Sequence, residues 1–143
     1  MPFIVHIPDG APWIVADLWG RVDSADIVGS RRGMADANGA NRYRQFIFDF
    51  TAVEVMDMTL DARDGVVEVD EERTVFIPDG QCAFVVPREE VLIGLELLAG
   101  ASKMDVEFRS FHTRPEAEAW LLGDAPDSGI RAPHRHRRWT PQH

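Results

Sequence analysis

The sequence predicts an α/β domain with a mostly parallel central sheet, an antiparallel hairpin at its N-terminal side and four helices. Three observations predict it. Residues 46–50, FIFDF, and 82–86, CAFVV, are short runs apolar at nearly every position, the pattern of strands covered on both faces. Stretches with helical spacing of apolar residues alternate with such runs, and repeated strand–helix–strand units imply right-handed crossovers and a parallel sheet. Near the start, two apolar runs flank Pro8-Asp9-Gly10, a turn signal that folds neighbouring strands antiparallel.

The elements follow in order. Residues 3–7, FIVHI, and 13–19, WIVADLW, form the hairpin, with Gly20 expected to break its second strand. From about Asp23 to Ala37, Ile27, Val28, Met34 and Ala35 recur at helical spacing, with Asp23 as cap and Asn38-Gly39 as stop. The strand at 46–50 leads to a helix of roughly 59–73, in which Gly65 and the run Val66, Val67, Val69 compete for other conformations. Pro87 closes the strand at 82–86. Residues 89–101 then place Val91, Leu92, Leu95, Leu98 and Ala99 on one helical stripe, while Ile93 and Leu97 add apolar surface beside it, more than one buried face needs. Residues 104–111 alternate Met104, Val106 and Phe108 with Asp105, Glu107 and Arg109, as a strand near the sheet edge does. Thr113 and Glu116 stand at capping-box spacing before a helix from Ala117 to Leu122. Residues 1–123 thus read as one domain and 124–143, rich in proline, glycine and charge, as an extended tail.

With 143 residues, a chain of this size buries roughly 70% of the surface its unfolded form exposes. A composition of 45% hydrophobic and 27% charged residues fits a soluble globular protein. No apolar run is long enough for a membrane span, and MPFIVHIPDG lacks the basic and apolar regions of an export signal, so a cytoplasmic location is expected. Cys82 is alone, within an apolar run, and reads as a packed thiol suited to a reducing compartment. The net charge of −9 is uneven: residues 1–123 hold 22 acidic and 11 basic residues, whereas the tail holds four arginines and two aspartates. So acidic a body repels nucleic acid and anionic membranes.

This ordered set of segments resembles the STAS domains, the anti-anti-sigma-factor superfamily, and more closely the SpoIIAA-like group of small bacterial proteins. The resemblance covers about residues 13–122. It rests on Leu18-Trp19-Gly20-Arg21-Val22 opening the first helix, Arg42-Tyr43-Arg44 before FIFDF, Ala83-Phe84-Val85-Val86-Pro87 before an apolar helix, Phe111, and the closing Glu116-Ala117-Glu118-Ala119-Trp120-Leu121. It implies a regulatory or protein-interaction domain without catalysis. Sporulation-type members carry Asp-Ser-Ser-Gly at the start of the helix after the second core strand, where a partner kinase phosphorylates one serine. Asp57-Met58-Thr59-Leu60 occupies that place and makes Thr59, behind Asp57, the matching acceptor. Met58 and Leu60 replace the first serine and the glycine, so Thr59 also reads as a plain helix cap. The group further resembles lipid-binding domains. Here the place to look is Met56 and Met58 beside Val91, Leu92, Leu95 and Leu97, a surface that fits either a second subunit in a homodimer, another protein, or an apolar ligand or lipid.

Other chemistry finds little support. His134 and His136 in the tail are two imidazoles where a stable metal centre needs three or four ligands, so no metal or other cofactor is expected. His6 and His112 read as structural. Asp61 and Asp64, or Asp70, Glu71 and Glu72, suit a solvated surface better than paired acid–base groups, which need contrasting environments. No phosphate loop, nucleophile elbow or dinucleotide fingerprint occurs. Arg135, Arg137, Arg138 and Trp139 form a basic, aromatic arm that can lie on the acidic body or on a neighbouring subunit, stay unattached, or meet phosphate groups.

Overall fold

The computed structural model describes residues 2–39, 42–57, 80–88 and 106–123. Five strands and two helices lie within them: β1 (Phe3–His6), β2 (Trp13–Asp23), α1 (Ser24–Ala37), β3 (Gln45–Asp57), β4 (Gly80–Val85), β5 (Val106–Phe111) and α2 (Arg114–Leu122). They form one mixed sheet in the order β1-β2-β3-β4-β5, with β1 antiparallel to β2 and every other neighbour parallel. The predicted hairpin and mostly parallel sheet are both present. Of the four expected helices, those at 59–73 and 89–101 lie outside the described residues, as does the tail.

Local chemistry explains the elements. The hairpin turn is closed by a hydrogen bond from the Ala11 amide to the Pro8 carbonyl at 3.1 Å. Helix α1 begins at a full capping box: the Asp23 side chain accepts from the Asp26 amide while the Asp26 side chain accepts from the Asp23 amide. Helix α2 repeats the device with Thr113 and Glu116, and begins at Arg114, a turn's width earlier than the expected Ala117.

Gly20 does not break the second strand. With φ of 67° it occupies the left-handed region, which costs a residue with a side chain about 1–2 kcal/mol, and β2 runs through it to Asp23. The segment Leu18–Val22, expected to open the first helix, is therefore strand. Opposite it, β3 extends well beyond residue 50, to Asp57, and its register against β2 shifts between Asp17 and Trp19 and again between Gly20 and Arg21. Each shift gives β3 an extra residue, as bulges do, so its buried side chains after Phe50 fall at Val53 and at the half-buried Met56. The strand expected at 82–86 is β4, displaced by one to two residues, with Val86 buried just past its end.

Two apolar layers cover the sheet. On one face Ile14, Ala16, Leu18, Phe46, Phe48, Phe50, Phe84 and Phe108 pack with Ile27 and Met34 of α1. Phe84 stacks between Phe48 and Phe108, with ring centroids 5.8 and 5.6 Å away. Helix α1 approaches β1 so closely that a Cβ on Gly33 would stand 3.0 Å from Val5 Cγ2, which requires glycine or a shift. On the other face Trp13, Val15, Ile47, Ala83, Val85 and Phe111 pack with Ala117, Trp120 and Leu121 of α2. Both faces of the sheet are thus dry at residues 46–48 of β3 and 82–85 of β4, as those sequences demand.

Candidate functional site

The carboxyl ends of β2 and β3 carry the residues expected to matter. The parallel register pairs Arg21 with Val55, Val22 with Met56 and Asp23 with Asp57, so both strands end together at the N-terminus of α1. Asp57 is exposed and accepts a hydrogen bond from Arg21 Nη2 at 2.8 Å. An ion pair this exposed contributes little to stability and stays available to other partners. Met56 points the other way and packs half-buried against the α1-side core. Asp57 and Met56 are therefore adjacent in sequence but face different surroundings. Met58, Thr59, Val91, Leu92, Leu95 and Leu97 lie outside the described residues, as do His134, His136 and the acids at 61–72.

Electrostatics at this end favour negative charge on α1. Backbone and side-chain hydrogen bonds at Asp26 hold the Asp23 carboxyl below its ordinary pKa. Trp19 and Val55, each 43% exposed, flank the charged residues with apolar surface. The outcome is a small, open patch of mixed character at the strand tips, where ligands and partners of open α/β sheets tend to meet the fold.

A second polar cluster, on the α2 face, was not anticipated. Asp17 and Asp49 are register partners on β2 and β3. Arg114, the first residue of α2, donates from Nη1 to Asp49 Oδ2 at 3.0 Å and from Nε to Glu118 Oε2 at 2.9 Å, and its Nη1 lies 3.5 Å from Asp17 Oδ1. Asp49 also accepts from the Thr51 amide and hydroxyl, and His6 Nε2 lies 2.7 Å from Asp17 Oδ2. Partial burial by itself would lower the Arg114 pKa, but hydrogen bonds to Asp49 and Glu118 and the charges of Asp49 and Asp17 outweigh it and hold the guanidinium above its usual value. The carboxylates therefore enclose a resident cation, an arrangement suited to fastening a helix. The one available signal was an acid inside each apolar run, WIVADLW and FIFDF, since a charge on a half-buried strand needs a partner.

The remaining sequence candidates are bland in place. Cys82 is buried, and burial pushes its thiol up to about 12, which leaves it protonated and unreactive near neutrality. His112 is exposed beside the α2 cap.

No protein-family model matches the sequence, and neither does any curated protein. Solved structures do match. The anti-sigma factor antagonist SpoIIAA in its unphosphorylated form is 17% identical, with a TM-score of 0.50 over 85% of this chain and 98% of that one. An uncharacterised DUF3478-family protein with a SpoIIAA-like fold, from Shewanella loihica PV-4, is 12% identical, with a TM-score of 0.54 over 83% of this chain and 91% of that one. At such identities the likeness is one of fold: the chain has a SpoIIAA-like α/β fold with a mixed five-stranded sheet.

Proposed function

We propose that this chain works without catalysis as a regulatory domain that binds protein surfaces, its own copy included, through the carboxyl ends of β2 and β3 and the segments that follow them. The observation that carries this reading is the Asp23–Asp57 register, which gathers the two strand ends, the α1 N-terminus, the exposed Arg21–Asp57 pair and the exposed apolar Trp19 and Val55 into one accessible patch. An open mixed patch suits a macromolecular partner better than it suits a reaction, which needs enclosed and unequal environments. The SpoIIAA-like fold supports it, since SpoIIAA is an anti-sigma factor antagonist. Met58, Val91, Leu92, Leu95 and Leu97 extend this surface in our reading and form its self-associating part.

Light scattering on the intact chain tests the proposal. A discrete homodimer that Leu95→Glu converts to monomer is the expected result. A monomer at every concentration removes self-association from the reading.

A second reading has its own support. Arg21 already pairs with Asp57, two residues before Thr59, so a cation stands close to where a phosphate would be added. A phospho-switch at Thr59 predicts a modified Thr59 peptide in protein isolated from its native cells; unmodified Thr59 throughout growth eliminates it.

A further inference from the structure

The α2 face of the sheet is covered unevenly. Helix α2 packs over β3, β4 and β5. Beside it, β1 and β2 present Ile4, His6, Asp17 and Trp19 at alternate positions, and Ile4 and Trp19 are 54% and 43% exposed. An isoleucine and a tryptophan this accessible, interleaved with acid, form a strip that water solvates poorly.

Chain topology limits what can cover that strip. The connection from β2 to β3 runs through α1 on the opposite face. Among the described residues α2 is the helix on the strip's face, and the chain leaves it at Gly123.

Its point of departure is marked by an unmet hydrogen bond. Gln45 Nε2 donates to the Leu121 carbonyl at 2.6 Å, which fixes the last turn of α2 over the start of β3. Trp13 is the register partner of Gln45 and packs in the same cluster as Leu121. Trp13 is only 6% exposed, and its indole Nε1 has no hydrogen-bond partner among the described residues. Buried donors are rarely left unpaired, because the lost hydration costs about 1–3 kcal/mol.

We propose that residues 124–143 of the same chain lie along β2 on this face, with a backbone carbonyl just after Gly123 accepting from Trp13 Nε1 and the arginine-rich end, including Trp139, seated against Asp17, Trp19 and Ile4. Charge agrees. Among the described residues near α2, Asp17, Asp49, Glu107 and Glu118 stand against Arg109 and Arg114, leaving an excess of carboxylates, whereas Arg131, Arg135, Arg137 and Arg138 make the segment positive. Reach agrees as well. The segment can extend roughly 65 Å, and the run from Trp13 to Trp19 is about 20 Å. Of the patch proposed for the strand ends this placement takes only Trp19; Arg21, Val55 and Asp57 stay open to a partner.

A nitroxide placed on the intact chain through Ala132→Cys tests it, since Cys82 is buried and protonated and leaves the new thiol as the labelled one. Most of the NMR peak height of the Trp13 indole and of the Ile4, Asp17 and Trp19 amides should be lost. Adding Arg135→Glu, Arg137→Glu and Arg138→Glu to the labelled chain should restore the Asp17 and Trp19 peaks without touching the core. Undiminished peaks in the labelled parent overturn the proposal. So does equal broadening on isotope-enriched chains mixed with labelled unenriched ones, which would place the segment on a second copy.

Discussion

Arg114 and Asp49 are 65 residues apart in sequence and joined by a hydrogen bond of 3.0 Å from Nη1 to Oδ2. Through this contact the first residue of the last described helix holds the middle of the sheet. The guanidinium is planar and reaches Glu118 with Nε while Nη1 serves the aspartates, a division of labour an ammonium cannot copy.

Arg114→Met should therefore destabilise the fold by about 2 kcal/mol, between the small value of exposed pairs and the larger one of buried pairs, because Asp17 and Asp49 would face each other without their cation. Arg114→Lys should recover only part of that. Urea unfolding of the three proteins measures both, and equal stability of parent and methionine variant would refute the clasp.

Gly20 makes a sharper test of the backbone. Gly20→Ala should cost roughly 1–2 kcal/mol, since nothing crowds the new Cβ and the whole penalty comes from the positive φ. An unchanged melting temperature would show that β2 does not pass through this residue in the left-handed region.

The stacked Phe48, Phe84 and Phe108 sit across the three central and edge strands, so Phe84→Ala should open a cavity at their centre and cost about 3–5 kcal/mol. The capping threonine is a smaller contributor: Thr113→Ala should cost about 1 kcal/mol and leave Thr113→Ser close to the parent. Calorimetry on these variants ranks them.

Acid sensitivity at α1 follows from Asp23. Its folded pKa lies below the unfolded value, so its contribution is present above the unfolded pKa and is lost as pH falls through the folded one. Asp23→Asn keeps a capping side chain that does not titrate. Below about pH 4 the stability of the variant should fall less steeply than that of the parent, as read by pH-dependent amide exchange in α1.

The interior strands were legible because FIFDF and CAFVV are apolar on both alternations, a pattern few other environments tolerate. Both caps were legible because Asp23 and Thr113 stand in short, local relationships. The second half of β3 was hidden by its bulges, which move the buried positions from Phe50 to Val53 and Met56 and erase the two-residue period. Gly20 misled for a related reason: a glycine that ends a strand and one that lets it bend look alike in sequence. At the candidate site, Asp57 was singled out through the resemblance, at the start of an expected helix, whereas the structure makes it the last residue of β3. The Arg114 cluster was missed because its partners meet only after the chain has folded across 65 and 97 residues.

Helix α2 closes the apolar layer over Trp13, Val15, Ile47 and Val85 from the last quarter of the chain. During synthesis, which proceeds from the N-terminus, that layer stays bare until residue 122 has cleared the ribosomal exit. A ribosome stalled before that point would display a greasy half-built sheet, and chaperone recruitment to the nascent chain should end when the final helix emerges.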